Sequence, residues 1–148
     1  FAIIDKDGKK IGYARSVWAM ISLNTRKPAD LLALHGGSIV DYVCDEPCPI
    51  EKPSRIKVTS TEPASSLNAK YSDIDINGHV NSIRYIEHIL DLFPIELYKE
   101  SRIRRFEMAY VAESYYSDEL TFYKDYVGNG TYDIEVRKNG GEAVCVLK

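Results

Sequence analysis

One segment of this chain reads as an amphipathic helix, and everything after it reads as strand. Val80, Ile83, Ile86, Ile89 or Leu90, and Phe93 recur at three- and four-residue spacing, the period that gathers apolar side chains on one helical face. Pro94 ends the pattern, because a proline inside a helix removes a hydrogen bond and clashes with the preceding turn. The expected helix is about 13 residues and about 20 Å long, and "IELYKES" adds a further turn or two. Downstream, "RIRRFEMAYVAES", "DELTFYKDYV", "TYDIEVRK" and "EAVCVLK" read as strands. Turns at Gly128-Asn129-Gly130 and Asn139-Gly140-Gly141 separate the last three. In "TYDIEVRK" the alternation turns Tyr132, Ile134 and Val136 inward. A lone apolar helix followed by four antiparallel strands buries its stripe by lying against the sheet. The fold class is therefore α+β, an antiparallel sheet wrapped around a central helix.

The first third of the chain has a different texture. "FAIIDKDGKKIGYARSVWAMISLN" reads as a hairpin turning at "DKDG". Both faces of its second strand are largely apolar, which calls for cover on both sides. Residues 25–54 read as a connector holding Pro28, Pro47, Pro49 and Pro53. Within it "ADLLALHG" reads as a short helix ended by Gly36, with His35 in a solvated capping role. "EPCPIEKP" is strand-averse and reads as a linker. The expected division is residues 1–53 and residues 54–148. "SRIKVTS" reads as a short strand and "TEPASSLNAKYSDIDINGH" as a loop. The chain opens with Phe1 inside a strand pattern. It thus reads as lacking its natural start, and the absence of a signal or transit peptide says little about location.

Bulk numbers exclude several classes. A net charge of −3 over 148 residues argues against a generally basic nucleic-acid binder. No apolar run approaches the roughly 20 residues of a membrane span, so no membrane association is expected. Cys44, Cys48 and Cys145 are an odd count with no second metal-ligand pair. Reduced thiols in a cytosol-like compartment are expected, with no disulfide framework and no zinc. There is no P-loop and no G-x-G-x-x-G, so no cofactor and no metal is implied.

"YSDIDINGHVNSIRY" concentrates the chemistry. Asp73, Asp75, Asn77 and His79 fall within seven residues just before the helix, with Gly78 between the last two. Two readings compete. Asp and Asn favour turns and N-caps, so the group could merely satisfy backbone donors. Alternatively, a histidine at a helix mouth can move protons near neutral pH. A carboxylate can orient it, and an amide with the helix-start N–H groups can stabilise an oxyanion. Gly78 would then let the backbone approach a substrate. Such a set suits acyl transfer to water.

Here the chain resembles the acyl-ACP thioesterases, which release free fatty acids from acyl carrier protein in bacteria and plastids. "DIDINGHVNSIRYIEHI" is similar to the family's D-L-D-x-N-x-H-V-N-N-x-x-Y motif. "FEMAYVAESYYSDELTFY" resembles its E-Y-R-R-E-C-x-x-D-x-L segment. "GKKIGYARSVWAMISLNTRKP" resembles the segment that closes the first of two tandem hotdog domains. The three matches follow the family's order and span nearly the whole chain. The resemblance implies the end of a first hotdog domain in residues 1–53 and most of a second in residues 54–148, with the final strand cut after Lys148. It puts Asp75, Asn77, His79 and Glu113 in the catalytic set. Ser114 stands where the family often has cysteine, so direct attack by water is the expected mechanism. Glu113 is supported by parity, since it shares a strand face with apolar Ala109 and Val111. Asp73 and Asn81 are expected to be structural, and Tyr85 to pack.

The implied partner is acyl carrier protein bearing an acyl thioester. Its acidity calls for a basic docking surface, and Lys99, Arg102, Arg104 and Arg105 form the densest basic cluster, with Arg26 and Lys27 a second. The exposed N-terminal hairpin makes a homodimer possible. A bacterial cytoplasm is the expected location, with a plastid origin left open. Two alternatives stand beside this reading. One is an acyl-CoA thioesterase of the hydroxybenzoyl-CoA type, which shares the D-x-D-x-x-G-H-V-N start. The other is a non-catalytic hotdog module that binds acyl chains.

Overall fold

The computed structural model describes residues 1–25, 27–43 and 46–148. Arg26 and Cys44 lie outside the described residues. The chain divides into two compact units, Phe1–Lys52 and Pro53–Lys148.

In the first unit β1 (Ala2–Ile4) pairs antiparallel with β2 (Lys10–Tyr13). The turn between them is the expected one. Asp5 Oδ1 accepts from the backbone N–H of Asp7 and Lys9 at 3.0 and 2.9 Å, and Gly8 takes the left-handed φ of 81° that favours glycine. The second strand is much shorter than expected. It ends at Tyr13, and beyond it Ile21 meets Pro28 in an isolated bridge. The expected cover on both faces is not found among the described residues, since Val17, Trp18 and Leu23 are each more than 80% exposed. Leu31–Tyr42 forms two 3-10 turns rather than one short helix. They join through left-handed His35, Gly36 and Gly37, so the expected stop at Gly36 is followed by a second turn. No described residue of this unit is buried.

The second unit carries the core. Strand β3 (Ser65–Asn68) precedes α1 (Ser82–Leu90) and α2 (Ile95–Glu100). Then come β4 (Met108–Tyr110), β5 (Glu119–Gly128), β6 (Thr131–Lys138) and β7 (Glu142–Leu147). These strands form one antiparallel sheet in the order β3-β5-β6-β7-β4. Inward-facing Leu120, Phe122, Ile134, Val136 and Val144 pack with Ile89 and Tyr85 of α1. Each such buried side chain contributes about 1.5–3 kcal/mol. Cys145 lies in this core, and burial pushes its thiol up to about 12. It behaves as a small hydrophobe. Cys145 and the exposed Cys48 are both free thiols.

Four expectations are corrected here. "SRIKVTS" forms no strand. It is tied down by Ser54 N–H to Glu107 Oε2 at 2.8 Å and by Thr59 N–H to Asp125 Oδ2 at 2.6 Å. The edge strand is instead β3, "SSLN", which lay inside the expected loop. It has no apolar alternation because it pairs on one side alone and is mostly exposed. Helix α1 is shorter than expected, because Asp91 caps it and the chain turns through Phe93 to Pro94, the N-cap of α2. Its buried positions are Tyr85 and Ile89, while Ile83 is 55% exposed. Finally, "RIRRFEMAYVAES" keeps three ladder residues, Met108–Tyr110. Val111 and Ala112 then both donate to Val144 O, and the chain leaves the sheet.

Candidate active site

The loop between Asp73 and Asn81 is built largely by backbone bonds to aspartates. Asp73 is buried, accepts from Lys70 N–H at 2.7 Å and meets His88 Nε2 of α1 at 3.1 Å. Its carbonyl accepts from Asn81 N–H at 2.7 Å. Asp73 thus holds the base of the loop to Lys70, Asn81 and α1. A bridge between Ile74 and Val80 closes the loop above it. Inside the loop, Asp75 Oδ1 accepts from the backbone N–H of Asn77 at 2.8 Å and of His79 at 3.3 Å. Gly78 sits at φ +82°, and a Cβ there would meet nothing within 4 Å. The position therefore asks for glycine through its backbone conformation.

A second segment is drawn to this loop by one backbone bond. Val80 N–H donates to Ser114 O at 2.8 Å, which sets Glu113 beside His79. Glu113 Oε2 lies 3.5 Å from His79 Nε2. The same oxygen accepts from the Tyr115 hydroxyl at 3.0 Å, and the Tyr115 ring meets the His79 ring edge-on at 5.2 Å. Lys138 Nζ donates to the Glu113 carbonyl at 2.8 Å. Asp118 stiffens the turn by accepting from Tyr115 N–H and from Asn139 Nδ2, both at 2.9 Å. Burial alone would raise the Asp118 carboxyl, but these hydrogen bonds outweigh it and hold the group below the usual carboxylate value.

All four expected residues thus sit on two adjacent segments, and two of them, His79 and Glu113, touch through their side chains. Asp75 acts through backbone N–H groups, and Asn77 is exposed on the same loop. Two supporting arguments are corrected. The parity argument for Glu113 fails, because Val111 is 61% exposed and residues 111–118 are not strand. Glu113 is placed by the Val80–Ser114 bond instead. The helix-start N–H groups are also largely committed: Asn81 takes Ile83 N–H on its side chain and Arg84 N–H on its carbonyl. Ser114 is 1% exposed, and its hydroxyl has no hydrogen-bond partner among the described residues. It lies against Tyr85, whose phenol is pushed up by burial.

Sequence reasoning missed Tyr115, Lys138 and His88. Tyr115 follows Glu113 by two residues, which was the available signal. Lys138 and His88 come from distant elements and left none.

This pairing of imidazole and carboxylate, half-open to solvent at 29% and 44% side-chain exposure, can take a proton from water and return it to a leaving group. The family model "Acyl-ACP thioesterase C-terminal domain" matches residues 56–145. An acyl-ACP thioesterase structure from Bacteroides thetaiotaomicron VPI-5482 is 77% identical, with TM-score 0.91 over 99% of this chain and 58% of that one. The 12:0-ACP thioesterase from Umbellularia californica shares the hotdog fold at 15% identity, with TM-score 0.64 over 86% of this chain and 50% of that one. The dodecanoyl-[acyl-carrier-protein] hydrolase of Cinnamomum camphora is 26% identical over 113 residues, 73% of this chain, and this chain spans 30% of that relative's length. The chain belongs to the acyl-ACP thioesterase family, and its residues 56–145 match that family's C-terminal domain.

Proposed function

We propose that this chain carries the reaction centre of a thioester hydrolase that releases free fatty acid from acyl-acyl carrier protein and so terminates fatty acid synthesis. The observation that carries the reading is the 3.5 Å approach of His79 Nε2 to Glu113 Oε2, made by residues 34 positions apart in the sequence and inside the family-matched domain. Glu113, with His79, takes a proton from water as the water oxygen attacks the thioester carbonyl carbon. The Asn77 amide donates to the developing oxyanion. The carbon–sulfur bond then breaks, the thiol leaves with the proton, and the acyl group departs as the acid. Asp75 holds the backbone of Asn77 and His79 in register. Residues 1–53 are, on this reading, the closing part of a first hotdog domain, which the unit boundary between Lys52 and Pro53 supports.

Carrier protein is the proposed partner, supported by the names of the relatives. Lys99, Arg102, Arg104 and Lys27 are exposed, and Arg105 is paired with Glu107. No helix among the described residues is long and apolar enough to cross a membrane. A bacterial cytoplasm is the proposed location, supported by the source of the 77% identical structure.

The test is hydrolysis of a chain-length series of acyl groups on carrier protein and on coenzyme A, with His79→Ala as control. Turnover that prefers carrier-protein esters and vanishes in the control supports the reading. Preference for coenzyme A esters would replace the substrate, and silence on both from a folded chain would sink the hydrolase.

A further inference from the structure

We propose that Tyr115 is a positioning residue of this site, acting by fixing the Glu113 carboxylate against His79. The inference rests on the hydrolase reading for its kinetic consequences, but its geometry stands apart from it. Tyr115 touches both members of the pair. Its hydroxyl donates to Glu113 Oε2 at 3.0 Å, the oxygen that faces His79 Nε2 at 3.5 Å. Its ring stands edge-on to the imidazole, 5.2 Å between centroids at 88°. The backbone beneath it is held too, because Tyr115 N–H donates to Asp118 Oδ2 at 2.9 Å.

These contacts answer a physical need. Glu113 is 44% exposed at its side chain and sits off the sheet, so left alone its carboxylate would sample several rotamers. A reaction centre needs it in one, since small misplacements of a reacting group cost rate steeply. A hydroxyl bonded to the ionised oxygen selects the rotamer that faces His79, and a donor bonded to a charge is stronger than a neutral one. The neighbouring Tyr116 is 66% exposed and makes no such contact, so it serves as the matched control.

Tyr115→Phe keeps the ring and removes the hydroxyl. We expect kcat to fall about tenfold, the loss of one hydrogen bond to a charged group at a partly exposed site, with KM and the thermal midpoint near wild type. Tyr116→Phe should leave all three unchanged. In a Glu113→Gln background Tyr115→Phe should have no further effect, since its action runs through that carboxylate. An unchanged kcat, or an equal drop in the Glu113→Gln background, would overturn the proposal. The His79 ring-proton NMR shifts give a readout that needs no turnover. They should move in Tyr115→Phe and stay in Tyr116→Phe. If no thioester is hydrolysed, the hydrolase reading fails while this comparison still decides Tyr115. Shifts that ignore the missing hydroxyl would refute the contact.

Discussion

At the scale of single residues, Glu113 and Ser114 are neighbours with opposite environments. Glu113 is half-open to solvent and faces an imidazole, whereas Ser114 is sealed under Tyr85. A nucleophilic serine needs a base within reach of its oxygen and a carbonyl able to reach it, and the Ser114 hydroxyl has neither among the described residues. Its backbone matters more than its side chain, because Ser114 O is the acceptor that docks this segment on Val80. Glu113→Ala should therefore lower turnover by about 100-fold or more, the usual worth of a general acid–base group. Ser114→Ala should stay near wild type. Steady-state kinetics on both variants checks the pair. A collapse in Ser114→Ala with Glu113→Ala active would transfer the chemistry to the serine.

At the scale of elements, the site depends on a turn rather than on a helix or a strand. Residues 113–118 are held by Asp118, by Lys138 at the Glu113 carbonyl, and by Ser117 N–H on Ala69 O at 2.9 Å. Because the folded Asp118 carboxyl titrates below its unfolded value, its ionised form stabilises the fold. That contribution is complete above the unfolded value near about 4 and is lost as pH falls through the folded value. Asp118→Asn should thus lower the urea midpoint at neutral pH, and the gap from wild type should close in acid. A gap that stays constant with pH would show that the charge is irrelevant. This turn also marks where sequence reading stopped. Strand β6 was legible to the residue, Thr131–Lys138, because its alternation and flanking Gly/Asn turns agree. The loop residues Asp75, Asn77 and His79 stood out by composition and by family motif. The edge strand "SSLN" did not, since a polar, one-sided strand has no periodic signature. Nor did the route by which Glu113 reaches His79, since one backbone bond between Val80 and Ser114 leaves no trace in side-chain pattern.

At the scale of the whole chain, burial is unevenly shared. Every buried apolar residue among those described lies between Val58 and Leu147, within the unit Pro53–Lys148. The first unit keeps its hairpin through local backbone bonds and an Asp5 turn, with its large side chains exposed. Stability measured on the chain should therefore report the second unit. Ile89→Ala, which removes a fully buried side chain from the face of α1 that packs on the sheet, should cost about 2–5 kcal/mol. Leu23→Ala, at a side chain 85% exposed, should stay within about 0.5 kcal/mol. A fragment of residues 53–148 should keep a single cooperative urea transition with a midpoint near that of the full chain, because its core residues remain together. The alternative is equally visible. A fragment that unfolds without cooperativity would mean that the sheet needs the preceding chain to fold.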